Sequence, residues 1–283
     1  MRTVQLELAG RGPGFMSALD FGPRERPIEL VFLHANGFNA LTYRAILAPL
    51  VRERRILAVD QRGHGASTLA TEVAGRRDWL DLRDDLLALL EALDLSDVVL
   101  AGHSMGGTVS ILANAPAAGR ARELVLFDPV IMSGQPPLGR GEGDRSGMVE
   151  AARRRRTLFP DRAAAMDAYR GRGAFRTWPA DMLADFVNGG FVEDSGGGVR
   201  LACSPAWEAS GYAAQDHDVL GALARSIRPT RILKAEIDST CRIEAAPQWP
   251  LVEIEVVAGA SHFLPMERPE LATAALADAL SSR

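Results

Sequence analysis

Residues 101–107 read AGHSMGG and contain the pattern Gly-x-Ser-x-Gly centred on Ser104. The pattern is short, so the sequence around it decides its meaning. The apolar run DVVLAG (97–102) precedes the serine and predicts a buried strand, whereas MGGTVSILANA (105–115) follows it and predicts a helix of small residues. A serine on the sharp turn between such elements exposes its hydroxyl above the sheet, and glycines allow the strand and helix to approach closely. We therefore interpret Ser104 as a nucleophile.

The rest of the chain alternates in the same way between short apolar runs and longer amphipathic runs. This alternation predicts an α/β fold, in which a parallel sheet is covered by helices on both faces. The clearest helix, 78–95, has leucines at intervals of three and four and an acidic first turn. The predicted strands lie at 28–34, 55–60, 97–102, 123–128, 230–236 and 251–257, after an antiparallel edge pair at 4–9 and 15–22. The other predicted helices lie at 41–53, 105–115 and 267–281.

The segment between the strands at 123–128 and 230–236 has a different composition. It is too long for a connection within a compact domain, so we expect an inserted helical unit. The arginine run 153–156 within it is interpreted as a solvated helix face. A loop is predicted at 133–147, and helices are predicted at 148–159, 162–171 and 179–191.

Composition argues against several classes of function. The chain has 283 residues, of which 47% are hydrophobic and 24% charged, as is usual for one large globular domain or for one domain that carries an insertion. Its net charge of −4 gives no basis for binding nucleic acid or an anionic membrane. Two cysteines are too few for a disulfide framework, and no apolar run resembles a signal peptide or reaches the ~20 residues of a membrane helix. We therefore expect a cytoplasmic protein.

A serine hydroxyl is a weak nucleophile unless a base removes its proton, and the sequence offers five histidines. His262 lies in AGASHFLPMERPE (258–270), directly after the last predicted strand and before the final helix. A loop in that place, at the carboxyl edge of the sheet, can reach the serine. His34 and His64 are interpreted as residues that hold loops by hydrogen bonds, and His103 as a packing residue beside the turn. His262 is therefore the candidate base.

The chain resembles the α/β-hydrolase family in four motifs, which occur in the family's order and approximate spacing: LHANGF, DQRGHGAS, GHSMGG and GASHFLPMERPE. The resemblance is to the serine esterases and lipases and covers nearly the whole chain. It implies an eight-stranded, mostly parallel sheet with helices on both faces and a helical cap domain inserted after strand six. Residues 1–129 and 229–283 are then the core domain, and residues 130–228 are the cap. The motifs are specific for the fold and less specific for the substrate.

Acyl transfer also requires donors for the developing oxyanion, usually two backbone N–H groups. The resemblance implies that one donor is Met105, the residue after the nucleophile, and that the other lies in the loop after strand three. The family often has His-Gly-x in that loop, whereas this sequence has His34, Ala35 and Asn36. By position, Asn36 supplies the second N–H.

Two aspartates at strand ends compete for the third catalytic position, a carboxylate that orients the histidine. Asp128 follows strand six in LVLFDPV, and Asp238 follows strand seven in RILKAEIDST. The family uses the strand-seven position most often, but some branches, including haloalkane dehalogenases, use strand six. Asp128 lies 24 residues after Ser104, as in those branches, and Asp238 lies only 24 residues before His262. We select Asp128, and Asp238 stays open because it occupies the place of the family's Gly-x-x-Asp acid.

Together these residues predict a serine hydrolase that cleaves a carboxylic ester through an acyl-enzyme intermediate. Serine at position 104 argues against the family's dehalogenases and epoxide hydrolases, which have aspartate there. The expected partner is a small to medium, moderately apolar ester, and the chemistry needs no metal and no organic cofactor. The apolar residues of the cap that are candidates for an acyl pocket are Phe175, Trp178, Met182, Phe186, Phe191 and Trp207.

The same triad serves other reactions, so several alternatives stay open. One acyl-enzyme mechanism can cleave thioesters, lactones, amides and carbon–carbon bonds, so a thioesterase, a lactonase or a related enzyme is an alternative. A perhydrolase that works without a cofactor is a further alternative. From a different class of protein, the fold can act as a non-catalytic receptor for a small molecule.

Overall fold

The computed structural model describes residues 1–117, 119–132, 146–244 and 249–282. Its strands are β1 Arg2–Leu6, β2 Met16–Phe21, β3 Ile28–Leu33, β4 Arg55–Asp60, β5 Val98–His103, β6 Ala121–Phe127, β7 Leu158–Phe159, β8 Phe191–Glu193, β9 Val199–Leu201, β10 Thr230–Ile237 and β11 Val252–Ser261. Eight of them form one sheet in the order β1-β2-β4-β3-β5-β6-β10-β11. In this sheet β2 runs antiparallel to both of its neighbours, and the other neighbouring pairs are parallel. The predicted α/β fold with a mostly parallel sheet is confirmed.

Side chains of the central strands alternate between two hydrophobic clusters, one on each face of the sheet. In β5, Val98 and Leu100 belong to one cluster, whereas Val99 and Ala101 belong to the other, and all four are fully buried. Successive side chains of a strand point to opposite faces, so a strand covered on both faces is apolar at every position. This requirement explains why near-continuous apolar runs predict these strands.

Helices supply the cover on both faces. They are α1 Arg44–Leu47, α2 Leu80–Ala92, α3 Met105–Asn114, α4 Ser146–Arg153, α5 Arg162–Tyr169, α6 Ala180–Gly190, α7 Pro205–Ala213, α8 Val219–Ala224, α9 Leu264–Glu267 and α10 Pro269–Ser281. Helices α2, α3 and α8 contribute to the cluster on one face, and α1, α9 and α10 contribute to the cluster on the other. Within the described ranges, no helix combines the length and the apolar character needed to cross a bilayer.

Residues 130–228 contribute α4 to α8 and a small antiparallel sheet in the order β7-β9-β8. The helix predicted at 148–159 ends at Arg153, because residues 158–159 pair with β9 instead. Helix α8 packs in the same hydrophobic cluster as α3. The loop predicted at 133–147 lies outside the described residues, except for its last two residues, which begin α4.

The same segment is hydrogen-bonded to loops at the carboxyl edge of the main sheet. After β3, Nδ2 of Asn39 donates to the carbonyl of Phe186 in α6 at 3.0 Å. After β4, the carbonyl of Arg62 accepts from Nε1 of Trp207 in α7 at 2.8 Å. The segment therefore lies over the edge at which the parallel strands end.

Candidate active site

Ser104 occupies the turn between β5 and α3. Its backbone has φ 54° and ψ −119°, a conformation that is costly for a residue with a side chain. Its N–H donates to the carbonyl of Phe127 at 3.0 Å, which fixes the turn against the end of β6. Ser104 is 7% exposed. The strand–turn–helix arrangement expected of Gly-x-Ser-x-Gly is present.

Glycines make this turn possible because the neighbouring backbones approach closely. A Cβ at Gly102 would lie 2.5 Å from the carbonyl carbon of Gly106, and a Cβ at Gly106 would lie 2.3 Å from the carbonyl oxygen of Leu33. A larger residue at either position therefore requires a backbone shift. The second contact also places the first turn of α3 against the end of β3.

His262 follows β11, and its Nε2 lies 3.0 Å from the Oγ of Ser104. The turn that carries it is fixed by Glu267, whose carboxylate accepts hydrogen bonds from the N–H and the hydroxyl of Ser261, both at 2.8 Å. The side chain of His262 is 19% exposed. The loop after β11 thus places the imidazole of His262, the candidate base, within hydrogen-bond distance of Ser104.

Asp128 follows β6, and its Oδ2 lies 2.6 Å from Nδ1 of His262. The carboxylate is fully buried. Its Oδ1 accepts hydrogen bonds from the N–H of Ala235 at 2.9 Å and from the hydroxyl of Ser239 at 2.5 Å. Its Oδ2 also accepts from the N–H of Thr240 at 2.9 Å. The carboxylate is thus surrounded by donors.

These donors decide how the pair is protonated. Burial by itself would raise the pKa of Asp128, but the hydrogen bond and positive charge of His262, with hydrogen bonds from Ser239 and Ala235, hold that pKa below its ordinary value. An ionised carboxylate only accepts hydrogen bonds, so Nδ1 of His262 carries a proton. In the neutral ring Nε2 is then free to accept the hydroxyl proton of Ser104. The arrangement suits a nucleophile paired with a general base.

Asp238, the alternative acid, is exposed on the turn after β10. The two residues that follow it, Ser239 and Thr240, instead donate hydrogen bonds to Asp128. Sequence reasoning missed both of these residues. A signal was present in the Asp-Ser-Thr run, which follows a predicted strand next to the strand that leads to Asp128.

Met105 and Asn36 lie beyond the ends of neighbouring strands, because β3 and β5 pair with Leu33 opposite Gly102. Met105 begins α3, and the first N–H groups of a helix have no carbonyl partner inside it. In the described part of the chain, neither backbone N–H donates to a protein acceptor. Two unpaired donors are therefore available, one at the turn of Ser104 and one in the adjacent loop.

The side chain of Asn36 has a separate partner in α7. Its Nδ2 donates to the carbonyl of Glu208 at 2.9 Å. The approach is so close that a Cβ at Gly211 would lie 2.7 Å from the side-chain amide. The loop that carries the candidate oxyanion donor is thus held against α7.

His34 and His64 hold adjacent loops, as the sequence predicts. Nε2 of His34 accepts from the N–H of Gln61, and Nε2 of His64 accepts from the N–H of Gly37, both at 3.0 Å. Burial lowers the pKa of His34 to about 4 and lowers that of His64 well below its ordinary value. Both rings are therefore neutral at pH 7.

A group of aromatic rings lies beside His262. The ring of Phe263 is 5.5 Å from the imidazole, and it stacks on Phe38 with the centroids 6.3 Å apart. Phe38 in turn lies 5.2 Å from Trp178 and 5.6 Å from Phe186. Two of the residues predicted for an acyl pocket, Trp178 and Phe186, are thus close to the site.

Phe191 and Trp207, also predicted for that pocket, have other surroundings. Phe191 packs against Phe159, with the centroids 5.5 Å apart. The indole of Trp207 donates to the carbonyl of Arg62, and the guanidinium of Arg76 lies 3.8 Å above its ring. Both side chains are almost completely buried and serve packing.

Comparison with known sequences gives a match over most of the chain. A sequence model described as the alpha/beta hydrolase family matches residues 30–276. The chain is also similar to a 2-(acetamidomethylene)succinate hydrolase from Mesorhizobium japonicum, with 24% identity over 253 residues. That alignment covers 87% of this chain and 86% of the relative.

Solved structures share the fold over the full length. The crystal structure of E-2-(acetamidomethylene)succinate hydrolase has a TM-score of 0.76 at 22% identity, and the superposition covers 99% of this chain and 100% of the other. The thioesterase domain from the curacin biosynthetic pathway has a TM-score of 0.75 at 18% identity, covering 98% of this chain and 99% of the other. At these identities the similarity shows the fold alone.

Proposed function

The chain belongs to the alpha/beta hydrolase family, and from this premise we propose that it is a serine hydrolase that cleaves a carboxylic ester through an acyl-enzyme intermediate. The observation that carries the proposal is a continuous series of two hydrogen bonds. Ser104 Oγ lies 3.0 Å from Nε2 of His262, and Nδ1 of the same ring lies 2.6 Å from Asp128. Hydrolases among the similar proteins support the same reaction class.

In the proposed acylation, the Oγ of Ser104 attacks the ester carbonyl carbon while its proton passes to Nε2 of His262. Asp128 keeps the ring oriented and stabilises the imidazolium that forms. The carbonyl oxygen becomes an oxyanion and accepts hydrogen bonds from the N–H groups of Met105 and Asn36. The tetrahedral intermediate then expels the alcohol, which takes the proton from Nε2, and the acyl group stays on Ser104.

Water completes the proposed cycle. Nε2 of His262 takes a proton from a water molecule, and the resulting hydroxide attacks the acyl carbonyl. The carboxylic acid leaves as Ser104 regains its proton from the imidazolium. Both residues return to their starting state, and the reaction consumes one ester and one water.

The aromatic group supports a moderately apolar substrate. Phe38 lies two residues after Asn36, and Phe263 directly follows His262. Apolar rings thus stand next to the candidate oxyanion donor and next to the base. Thioesters and lactones also present a carbonyl carbon to the serine, so they belong in the same test.

A cytoplasmic setting is proposed from the sequence, which has too few cysteines for a disulfide framework.

The test is hydrolysis of p-nitrophenyl esters from acetate to dodecanoate by the wild type, Ser104→Ala and Ser110→Ala. Ser110 is a matched control because it is a buried serine within α3, the helix that follows Ser104, and its hydroxyl donates to the helix carbonyl of Gly106 at 2.9 Å. We expect kcat to fall at least about a thousandfold in Ser104→Ala, because the nucleophile is lost. Ser110→Ala should keep wild-type turnover.

The chain-length optimum of the series measures the size of the acyl site. A preference for charged or strongly polar acyl groups would contradict the apolar assignment. Equal turnover by the wild type and Ser104→Ala would overturn the hydrolase proposal. Matched thioester and lactone substrates, and a peroxide-dependent oxidation assay, identify which reaction of this mechanism is fastest.

A further inference from the structure

Three hydrogen bonds, two buried and one partly buried, connect the segments that carry the proposed catalytic groups. The N–H of Ala35 donates to the hydroxyl of Tyr43 at 3.1 Å, and that hydroxyl lies 2.8 Å from Nδ1 of His103. The Nε2 of His103 lies 2.8 Å from the carbonyl oxygen of His262. The series thus runs from the loop after β3, through the last residue of β5, to the loop after β11.

The two ends of the series fix its direction. A backbone N–H can only donate, so the Tyr43 oxygen accepts from Ala35. A carbonyl can only accept, so Nε2 of His103 carries the proton that bonds to His262. In the neutral ring Nδ1 is then the acceptor, and it takes the hydroxyl proton of Tyr43. The hydroxyl of Tyr43 therefore accepts from Ala35 and donates to His103, and the imidazole of His103 accepts from Tyr43 and donates to the carbonyl of His262.

Burial keeps this arrangement in place. Tyr43 and His103 are both fully buried. Burial lowers the pKa of His103 to about 3, so the ring stays neutral at the pH at which an imidazole base works. A second proton on Nδ1 would remove the acceptor for Tyr43. The ring is therefore held as one tautomer, with one donor and one acceptor.

Apart from Tyr43, each residue of the series is next to a residue with a proposed catalytic role or has such a role itself. Ala35 precedes Asn36, His103 precedes Ser104, and the carbonyl that accepts from His103 belongs to His262 itself. A shift of any of the three loops changes the distance between nucleophile, base and oxyanion donor. A misplacement of about 1 Å is enough to slow an enzyme about a hundredfold.

We propose that Tyr43 and His103 are positioning residues, which hold the oxyanion loop and the backbone of the base in register with Ser104. The inference rests on the proposed function and adds to it two residues that touch neither the substrate nor the reacting atoms. A merely structural role would lower stability and leave the turnover of the folded protein unchanged. A positioning role lowers kcat while KM stays nearly constant.

The first test is Tyr43→Phe, which removes the hydroxyl and leaves the N–H of Ala35 without its acceptor. We expect kcat to fall about thirtyfold, with KM within about twofold of the wild type, at a temperature where the variant is fully folded. Labelling of Ser104 by a fluorophosphonate should slow in parallel. Hydrogen exchange measured on the peptide that contains Ala35 should become faster.

The control is Thr273→Val, which removes a single hydroxyl as well, in this case a partly buried one. Thr273 donates to the carbonyl of Ile46 in α1, the helix that directly follows Tyr43, at 3.0 Å. The change therefore removes a contact of that helix and leaves the three hydrogen bonds of the series in place. Its kcat and its labelling rate should match the wild type. A Tyr43→Phe variant that behaves like this control in all three measurements would overturn the proposal.

The second test separates the two bonds of His103. Glutamine places an amide nitrogen near the Nε2 position and keeps a donor for the carbonyl of His262, whereas asparagine places an oxygen near the Nδ1 position and keeps only the acceptor for Tyr43. We expect kcat of His103→Gln to stay within about threefold of the wild type and that of His103→Asn to fall about thirtyfold. Equal losses in both variants would overturn the assigned role of the bond to His262.

The wild type and Ser104→Ala distinguish failure of this inference from failure of the proposed function. If the wild type neither turns over esters nor reacts with the fluorophosphonate, the proposed function fails and the positioning role fails with it. If Ser104 reacts and the Tyr43 and His103 variants all match the wild type, the proposed function stands and the positioning role alone is lost.

Discussion

Asp128 adopts φ 41°, in the left-handed region that residues with side chains seldom occupy. Aspartate is among the residues that tolerate this conformation best. The chain leaves β6 at this point, and the carboxylate is enclosed by donors from the loop after β10 and by His262. A strained, fully buried carboxylate is costly to maintain, and such costs concentrate at functional sites. The conformation therefore fits the role proposed for Asp128.

At this scale we predict that Asp128→Asn lowers kcat about a thousandfold to ten-thousandfold, because an amide no longer selects the productive imidazole tautomer. Asp238→Asn is the matched control and should keep most of the turnover, since Asp238 is exposed. Both variants are assayed with the optimal p-nitrophenyl ester after circular dichroism has shown them to be folded. The reverse ranking would move the acid to Asp238.

At the scale of elements, the sequence predicts what depends on local pattern and misses what depends on distant partners. The apolar run at 55–60 predicts β4 with its observed ends. The helix predicted at 41–53 is instead α1 between two 3-10 turns, because Pro49 has no N–H to continue the helix. The five site residues predicted from motifs and from positions at strand ends are near one another, but Tyr43, Ser239 and Thr240 lie in no such motif and are identified by their contacts.

The arginine run 153–156 shows the same limit, because its predicted solvated face is wrong at one position. Arg155 is half-buried, and its guanidinium bonds to the carboxylate of Glu208 at 2.5 Å and to the hydroxyl of Tyr169 at 3.0 Å. Burial alone would lower the pKa of Arg155, but the negative charge of Glu208 outweighs burial and keeps the pKa above its ordinary value. Arg154 has an exposed partner, Glu150, one helical turn away.

We predict that Arg155→Met lowers the free energy of unfolding by about 3 kcal/mol, because it leaves the buried Glu208 carboxylate without its partner. Arg154→Met makes the same chemical change one residue earlier and should cost less than about 0.5 kcal/mol, since exposed ion pairs contribute little. Urea denaturation of both variants measures the difference. Equal destabilisation would contradict the burial-based assignment.

At the scale of the whole molecule, the sheet brings together residues that are far apart in the chain. The turns after β3, β5, β6 and β11 all lie at one edge because their strands are parallel neighbours or near neighbours. That edge also contains three buried, neutral histidines, at positions 34, 64 and 103. Burial lowers the pKa of each of them. Burial also raises the pKa of Asp60, beside the same loops, to about 6.

These shifts predict how stability depends on pH. Below the ordinary histidine pKa of about 6.5, these three histidines take up three protons in the unfolded chain but stay neutral in the folded chain. Below about pH 6, Asp60 takes up one proton in the folded chain but not in the unfolded chain. The net difference of about two protons lowers the free energy of unfolding by about 3 kcal/mol per pH unit between pH 6 and pH 5. Urea midpoints at pH 7.5, 6.0 and 5.0 measure it. A flat profile would contradict the assigned neutral rings.

The bond from Asn36 to the carbonyl of Glu208 bears on how this protein can be re-engineered by recombination. One such design exchanges residues 130–228, the predicted cap domain, for the corresponding segment of a relative. The main-chain acceptor at position 208, however, steadies the loop from which the proposed oxyanion donor comes. A chimaera has to present a carbonyl at that point and a glycine-sized residue at position 211, or the transplanted module alters the chemistry as well as the choice of substrate.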